Sequence, residues 1–208
     1  MGALRQGEGY GEYWRAPGIV IDWSQTSVAE LERRNRMTAG TPRRPRLQNR
    51  DYYFRPGLTY SVVASGRVSV RLMPEGWIFG HKGSAVFAEN EGTSELFLLG
   101  YLNSALATYL MKKLVNTTAT ADVGYVEKLP YRRPPPELEI QVVDRVDRII
   151  VALQGNLDAD VSDLRAEIDE LVFDLFEIRA SREEVRRFYE TVGRVMQEEP
   201  EADQAASE

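Results

Sequence analysis

Eight arginines fall between Arg33 and Arg55: Arg33, Arg34, Arg36, Arg43, Arg44, Arg46, Arg50 and Arg55. Against them stand one acid, Asp51, and no lysine. A planar guanidinium fork suits paired hydrogen bonds to phosphate oxygens or to a guanine edge, which a lysine ammonium cannot make. Gln48 and Asn49 share the stretch, and a carboxamide is the group that pairs with an adenine edge. Tyr52, Tyr53 and Phe54 follow at once; aromatics there suit either a core or a base-stacking platform. The basic bias extends to Arg67, Arg71, His81, Lys82, Lys112, Lys113, Arg132 and Arg133. These residues describe a surface for a polyanion, with a grip that weakens in salt. The alternative is a solvated basic loop with no partner.

The missing chemistry narrows the reading further. With no cysteine among 208 residues, disulfides, thiolate zinc sites and a cysteine nucleophile are all excluded. A single histidine, His81, leaves no material for a histidine-rich metal site. Its setting, Gly80-His81-Lys82-Gly83, suits a loop contact to backbone or phosphate better than a catalytic base. There is no GxxxxGK[ST], no GxGxxG opening a helix, no HExxH and no GxSxG. Gly7-Glu8-Gly9-Tyr10-Gly11 is glycine-rich, but its context is wrong for a phosphate loop. The chain alone is therefore expected to hold no catalytic residue, metal or cofactor. Met1–Trp14 has no signal-peptide pattern, and no apolar run is long enough for a membrane span. The expectation is a cytoplasmic protein with no membrane partner.

The net charge of −6 is the sum of two unlike parts. Residues 1–133 carry 18 Lys+Arg against 12 Asp+Glu, a net +6, and residues 134–208 carry 8 against 20, a net −12. A basic front and an acidic back suit two different partners.

The elements that must position the basic residues can be read from spacing. Residues 1–18 lack periodicity and read as a flexible N-terminus. Ile19–Trp23 reads as a strand and Thr26–Arg36 as a helix. Thr38–Gln48, with Gly40, Pro42 and Pro45, reads as an extended loop. Asn49–Phe87 reads as short strands over Leu58–Val63, Arg67–Leu72, Trp77–Phe79 and Ala85–Phe87. In the second, Val68, Val70 and Leu72 alternate with Arg67, Ser69 and Arg71, which predicts two arginines on a wet face. Ser94–Leu114 reads as one helix capped by Ser94, with Leu96, Leu99, Leu102, Leu106, Tyr109 and Leu110 on its apolar side. Asn116–Ala121 reads as a polar loop and Val123–Val126 as a strand.

Pro134-Pro135-Pro136 forbids a helix across it and marks a boundary. Beyond it the spacing predicts helices over Glu137–Gln154 and Asp158–Ile178, joined at Gly155-Asn156 into an antiparallel hairpin. Ile140, Val143, Val146, Ile149, Ile150 and Leu153 form the first apolar stripe; Leu164, Ile168, Leu171, Val172, Leu175 and Phe176 form the second. Ser181 starts a third helix, and the acidic tail from Glu198 reads as disordered. The fold class expected is α+β: a small mixed or antiparallel sheet lobe over 19–133 with one packed helix, then an acidic helical spacer or docking region over 137–197. The hairpin either packs on the sheet lobe or docks another polypeptide.

Asn49–Asn90 resembles the target-recognition region of large adenine-specific DNA methyltransferases, those of type IIG restriction-modification enzymes and of BREX- and DISARM-type phage defence. Leu98–Ser104 looks like their "LLGxLNS" helix, Val123–Pro130 like their "VGxIxxLP" exit, and Ile168–Phe176 like their "IDxLVYxLY" helix, in that order. The resemblance covers about residues 13–190. It implies a sequence-specific module for double-stranded DNA, serving methyl transfer from S-adenosylmethionine to adenine N6. The family's Asn/Asp-Pro-Pro-Tyr/Phe motif and its methionine-binding glycine motif are not in this sequence. The resemblance therefore implies a specificity half whose S-adenosylmethionine is held by a methyltransferase domain or subunit as partner, and no catalytic residue carries over. Two alternatives stand beside it: a piece that contributes to methyl transfer in trans, and a helical protein-interaction module.

Overall fold

Ser94 sets the start of the first long helix in the computed structural model, which describes residues 2–5, 11–16, 19–37, 47–61, 69–80, 83–89, 92–115, 126–179 and 181–198. The Ser94 hydroxyl accepts the Phe97 N–H at 3.3 Å, and helix α2 runs over Glu95–Leu102. It then stops where apolar spacing predicts continuation. Ser104 caps a second helix, α3 (Ala105–Leu110), by accepting the Ala107 N–H at 3.2 Å. A π-turn over Met111–Val115 follows.

Asn103 explains the break. Its Oδ1 accepts the Val70 N–H at 2.9 Å, and its Nδ2 donates to the Val70 C=O at 2.9 Å. The side chain thus pairs with a strand as a neighbouring peptide would. Burial makes these bonds count, since a buried backbone group without a partner costs about 1–3 kcal/mol.

Among the described residues, six short strands form two sheets. Strands β1 (Gly2–Arg5), β2 (Ile19–Ile21) and β5 (Trp77–Phe79) make one, in the order β2-β1-β5. Strand β1 is antiparallel to β2 and parallel to β5. Strands β3 (Gly57–Ser61), β4 (Val70–Met73) and β6 (Gly83–Val86) make the second, in the order β4-β3-β6 and antiparallel throughout. Helix α1 spans Gln25–Met37. The fold is α+β, with small mixed and antiparallel sheets.

Two expectations change here. Residues 1–18 read as loose, yet they supply β1 and the buried side chain of Tyr13. Tyr13 N–H donates to Val70 C=O at 2.8 Å and Leu72 N–H donates to Tyr13 C=O at 2.9 Å, so the segment lies along β4. A single anchoring residue leaves no periodic trace. That cover also corrects Arg71: its side chain is fully buried rather than on a wet face. It lies opposite Thr59, which is equally buried, and its Cδ approaches Gly11. Both faces of β4 are covered, so alternation of residue type along it does not separate water from core.

Beyond the prolines, α4 (Pro136–Gly155), α5 (Ser162–Leu175) and α6 (Arg182–Glu198) follow in turn. Pro136 is the first helical residue, the position where a missing N–H is harmless. The buried stripe of α4 is Val142, Val146, Ile149, Ile150 and Leu153; Ile140, expected inside, is 68% exposed. Phe173, absent from the expected stripe of α5, is fully buried. One core runs from Tyr13, Leu58, Tyr60 and Val70, through Leu99 and Leu106, to Val146, Ile168, Phe173 and Val185. The hairpin therefore packs on the sheet lobe. Gly100 permits the approach: a Cβ there would lie 2.8 Å from Val142 Cγ1 and 3.0 Å from Val146 Cγ2.

The pieces that carry the family resemblance all meet in this framework. Besides Gly100, Asn103 and Ser104, the Tyr101 hydroxyl donates to Pro130 C=O, and its ring stacks on Phe176 at 5.4 Å. Asp169 Oδ1 accepts the Ala105 N–H at 2.8 Å. Burial pushes the Asp169 carboxyl up to about 6.

Candidate nucleic-acid interface

Helix α1 presents Arg33, Arg34 and Arg36 in its exposed last turns. A cation there meets the negative end of the helix dipole. Arg33 and Arg34 both hold Glu30, with Nε to carboxylate distances of 2.7 and 2.8 Å. Those bonds pull the Glu30 carboxyl down to about 2. Arg50 bonds Glu32 across the gap between α1 and the next turn. These carboxylates stand just upstream of the arginine-rich window, which is why a count begun at Arg33 overlooks them.

The turn that follows is held stiffly. Asn49 (φ 56°) and Phe54 (φ 67°) both take left-handed backbone conformations, and a 3-10 turn, Arg50–Tyr52, lies between them. Asparagine enters that region easily; a bulky aromatic rarely does. Phe54 is kept there by two bonds to the β4–β5 connection: its N–H donates to Trp77 C=O at 2.8 Å, and Gly76 N–H donates to its C=O at 3.0 Å. Gln48 and Asn49 are exposed beside this turn.

Around it lies a run of half-buried rings. Trp23 meets Tyr53 and Phe54 edge-on at 5.5 and 5.7 Å, Tyr53 meets Phe79 at 5.3 Å, and Phe79 meets Phe87 at 5.9 Å. Tyr52 lies 4.9 Å from Phe87 and donates its hydroxyl to Glu89 at 2.6 Å, which raises the phenol pKa. None of these six rings belongs to the main core. The exposed Arg55 sets its guanidinium over Tyr52 at 4.9 Å and over Phe87 at 5.3 Å. Among the described residues Arg55 makes no ion pair.

The structure thus brings Gln48, Asn49, Arg50 and Arg55 into one element, adjoining the end of α1 through the Arg50–Glu32 pair. It does not bring Arg71 there. Arg43, Arg44, Arg46, Arg67, His81 and Lys82 lie outside the described residues, as do residues 38–46 of the expected loop, 116–121, most of the expected strand at 123–126, and the tail from 199. The wider basic bias resolves partly into packing: Arg132 bonds Glu177 at 2.8 Å, and Lys113 Nζ lies 5.0 Å over the Phe188 ring. Sequence spacing does not single out Trp23, Phe79 and Phe87, because only the fold gathers them round Tyr53.

The groove on α4, about 510 Å³, is lined by Pro136, Glu139, Ile140, Val143, Asp144 and Asp147. It has no aromatic ring and no glycine turn to take an adenosyl group. No described helix is long and apolar enough to cross a membrane.

No protein-family model matches the chain. Over 141 residues, 68% of its length, it is 31% identical to the adenine-specific methyltransferase PglX of Lacticaseibacillus casei (strain Zhang). Over 85 residues, 40% of its length, it is 38% identical to the adenine-specific methyltransferase BrxX of Escherichia coli O9:H4 (strain HS). These matches take in 11% and 7% of those proteins, so the chain spans about a tenth of the relatives it matches. In fold it is similar to the type IIL restriction-modification enzyme MmeI, solved in complex with DNA. The TM-score is 0.50 at 10% identity, over 68% of this chain and 21% of that one. The chain is similar, in sequence and in fold, to one region of adenine methyltransferases and restriction-modification enzymes.

Proposed function

We propose that this chain is the DNA-contacting specificity module of an adenine-N6 DNA methyltransferase of restriction-modification or phage-defence type. The observation that carries the reading is the stiff Asn49–Arg55 turn, with exposed arginine and carboxamide groups beside half-buried rings, in a chain similar to adenine methyltransferases. Arg36, Arg50 and Arg55 supply phosphate or base-edge contacts, Gln48 and Asn49 supply base readout, and Arg33 and Arg34 contribute while shared with Glu30. Arg43, Arg44, Arg46, Arg67, His81 and Lys82, outside the described residues, are further candidates for phosphate contacts by residue type. The methyltransferase domain or subunit binds S-adenosylmethionine and draws the target adenine out of the stack, because methyl transfer cannot reach a stacked base. Its seat is the acidic outer face of α4, where Ile140 and Val151 are 68% and 67% exposed beside Asp144 and Asp147. A cytoplasmic location follows from work on cellular DNA.

The test is a salt titration of binding to random-sequence duplex DNA. Log K should fall linearly with log salt, with a slope of about −0.9 for each phosphate neutralised. A flat response, or no binding at low salt, overturns the reading.

A further inference from the structure

The rings around Tyr53 differ from the aromatics of the core. Tyr13, Tyr60 and Tyr101 are at most 2% exposed and belong to the core cluster. Trp23, Tyr52, Tyr53, Phe54, Phe79 and Phe87 belong to it neither as members nor as packed neighbours, and each stays partly open to solvent. Six large rings outside the core, each half-buried, leave aromatic surface in reach of a partner. The backbone beneath them is fixed by the left-handed Phe54 and its bonds to Trp77 and Gly76. Such uncommon conformations gather at binding sites, where they hold a shape in advance.

Charge identifies the occupant. The cation at the edge of the patch, Arg55, has its guanidinium carbon 4.9 and 5.3 Å from the Tyr52 and Phe87 ring centres and no carboxylate partner among the described residues. Rings beside a guanidinium match a nucleobase with its phosphate, where the π-face stacks and the cation meets the anion. An apolar peptide partner would have no use for the uncompensated charge.

We propose that the shelf of Trp23, Tyr53, Phe54, Phe79, Phe87 and Tyr52, with Arg55 over the last two, holds a nucleobase that has left the duplex stack. This rests on the DNA-contacting reading above and adds to it a preference for distorted DNA. The shelf gives a place to a base released when the duplex opens, and one released base suffices to fill it. Every base has a π-face, so the preference is for an unstacked base of any identity.

The experiment measures binding of the full chain, by fluorescence anisotropy, to three labelled oligonucleotides: a paired duplex, the same duplex with one bulged adenine, and its single strand. The bulged duplex should bind about tenfold more tightly than the paired one, as expected for one stacked base. Tyr53→Ala should remove that preference and Tyr53→Phe should keep it. Should Tyr53→Ala fail to fold, Arg55→Lys serves instead: it keeps the charge, loses the planar guanidinium and should lower the preference. Equal binding of paired and bulged duplexes by the unaltered chain, or a preference that survives both Tyr53→Ala and Arg55→Lys, overturns the shelf and leaves the DNA reading standing. Binding to none of the three overturns both.

Discussion

Arg182 and Arg55 show two uses of the same side chain. Arg182, at the start of α6, bonds Glu170 at 2.6 Å, Asp174, and the Ile178 C=O at 2.6 Å, and it lies over the Phe173 ring. Its donors are spent inside the protein. Arg55 lies over two rings with no carboxylate among the described residues. The same contrast separates the two regions. The helical framework closes its polar groups on one another, as in the Glu12–Arg165–Tyr189 cluster that ties the N-terminal segment to α5 and α6. In the Asn49–Arg55 turn Arg50 and Tyr52 are paired with Glu32 and Glu89, while the side chains of Asn49 and Arg55 are exposed. Arginine count alone does not distinguish the two; the position of carboxylates does.

The largest effects should come from the framework. Phe173→Ala removes a fully buried ring and should cost about 3–5 kcal/mol in urea unfolding. Asn103→Leu leaves the Val70 N–H without its partner, while the Val70 C=O keeps the Tyr13 N–H, and should cost about 1–3 kcal/mol. A loss below about 0.5 kcal/mol in either would break the distinction between the regions. Arg55→Ala should do the reverse: unfolding midpoints hold while duplex affinity falls and the salt slope lessens by about 1.

A smaller effect should appear with pH. The buried Asp169 carboxyl is held up at about 6, above its value of about 3.9 in the unfolded chain. The folded state therefore binds the proton more tightly, and this group's contribution to stability is lost as pH rises through about 6. Asp169→Asn keeps an acceptor for the Ala105 N–H and removes the titration. The gap between wild type and this variant should change between pH 4.5 and 7.5; a constant gap would show that Asp169 does not titrate in that range. Smallest of all, Glu30→Gln releases Arg33 and Arg34 from their shared carboxylate. It should raise duplex affinity by about two- to fivefold, and lower affinity would mean that Glu30 positions those arginines.

The sequence made much of the framework legible because its signals are local. Ser94 as a cap, Pro136 as a first helical residue and the leucine spacing of α2 each depend on residues within a few positions. The break at Asn103 escaped because Leu102 and Leu106 keep their spacing across it, while its cause lies at Val70. The site was legible as residue types and not as arrangement. Glu30 and Glu32 bind the arginines of the window from just outside it. Arg71 followed an alternating pattern that fails on a strand covered on both faces. The motifs behind the family resemblance turn out to be joints of the framework, so they bear on the scaffold more than on the candidate site.

The bonding along β4 bears on how the chain behaves among its own copies. Strand β4 ends its sheet, and an uncovered sheet edge is a template for another strand. Here Tyr13 takes Leu72 N–H and Val70 C=O, and the Asn103 carboxamide takes Val70 N–H and C=O. The edge is occupied by one residue of backbone and one side chain, neither of which offers a further strand to extend. Loss of either should show first as self-association on concentration, before any change in what the turn at Asn49–Arg55 can grip.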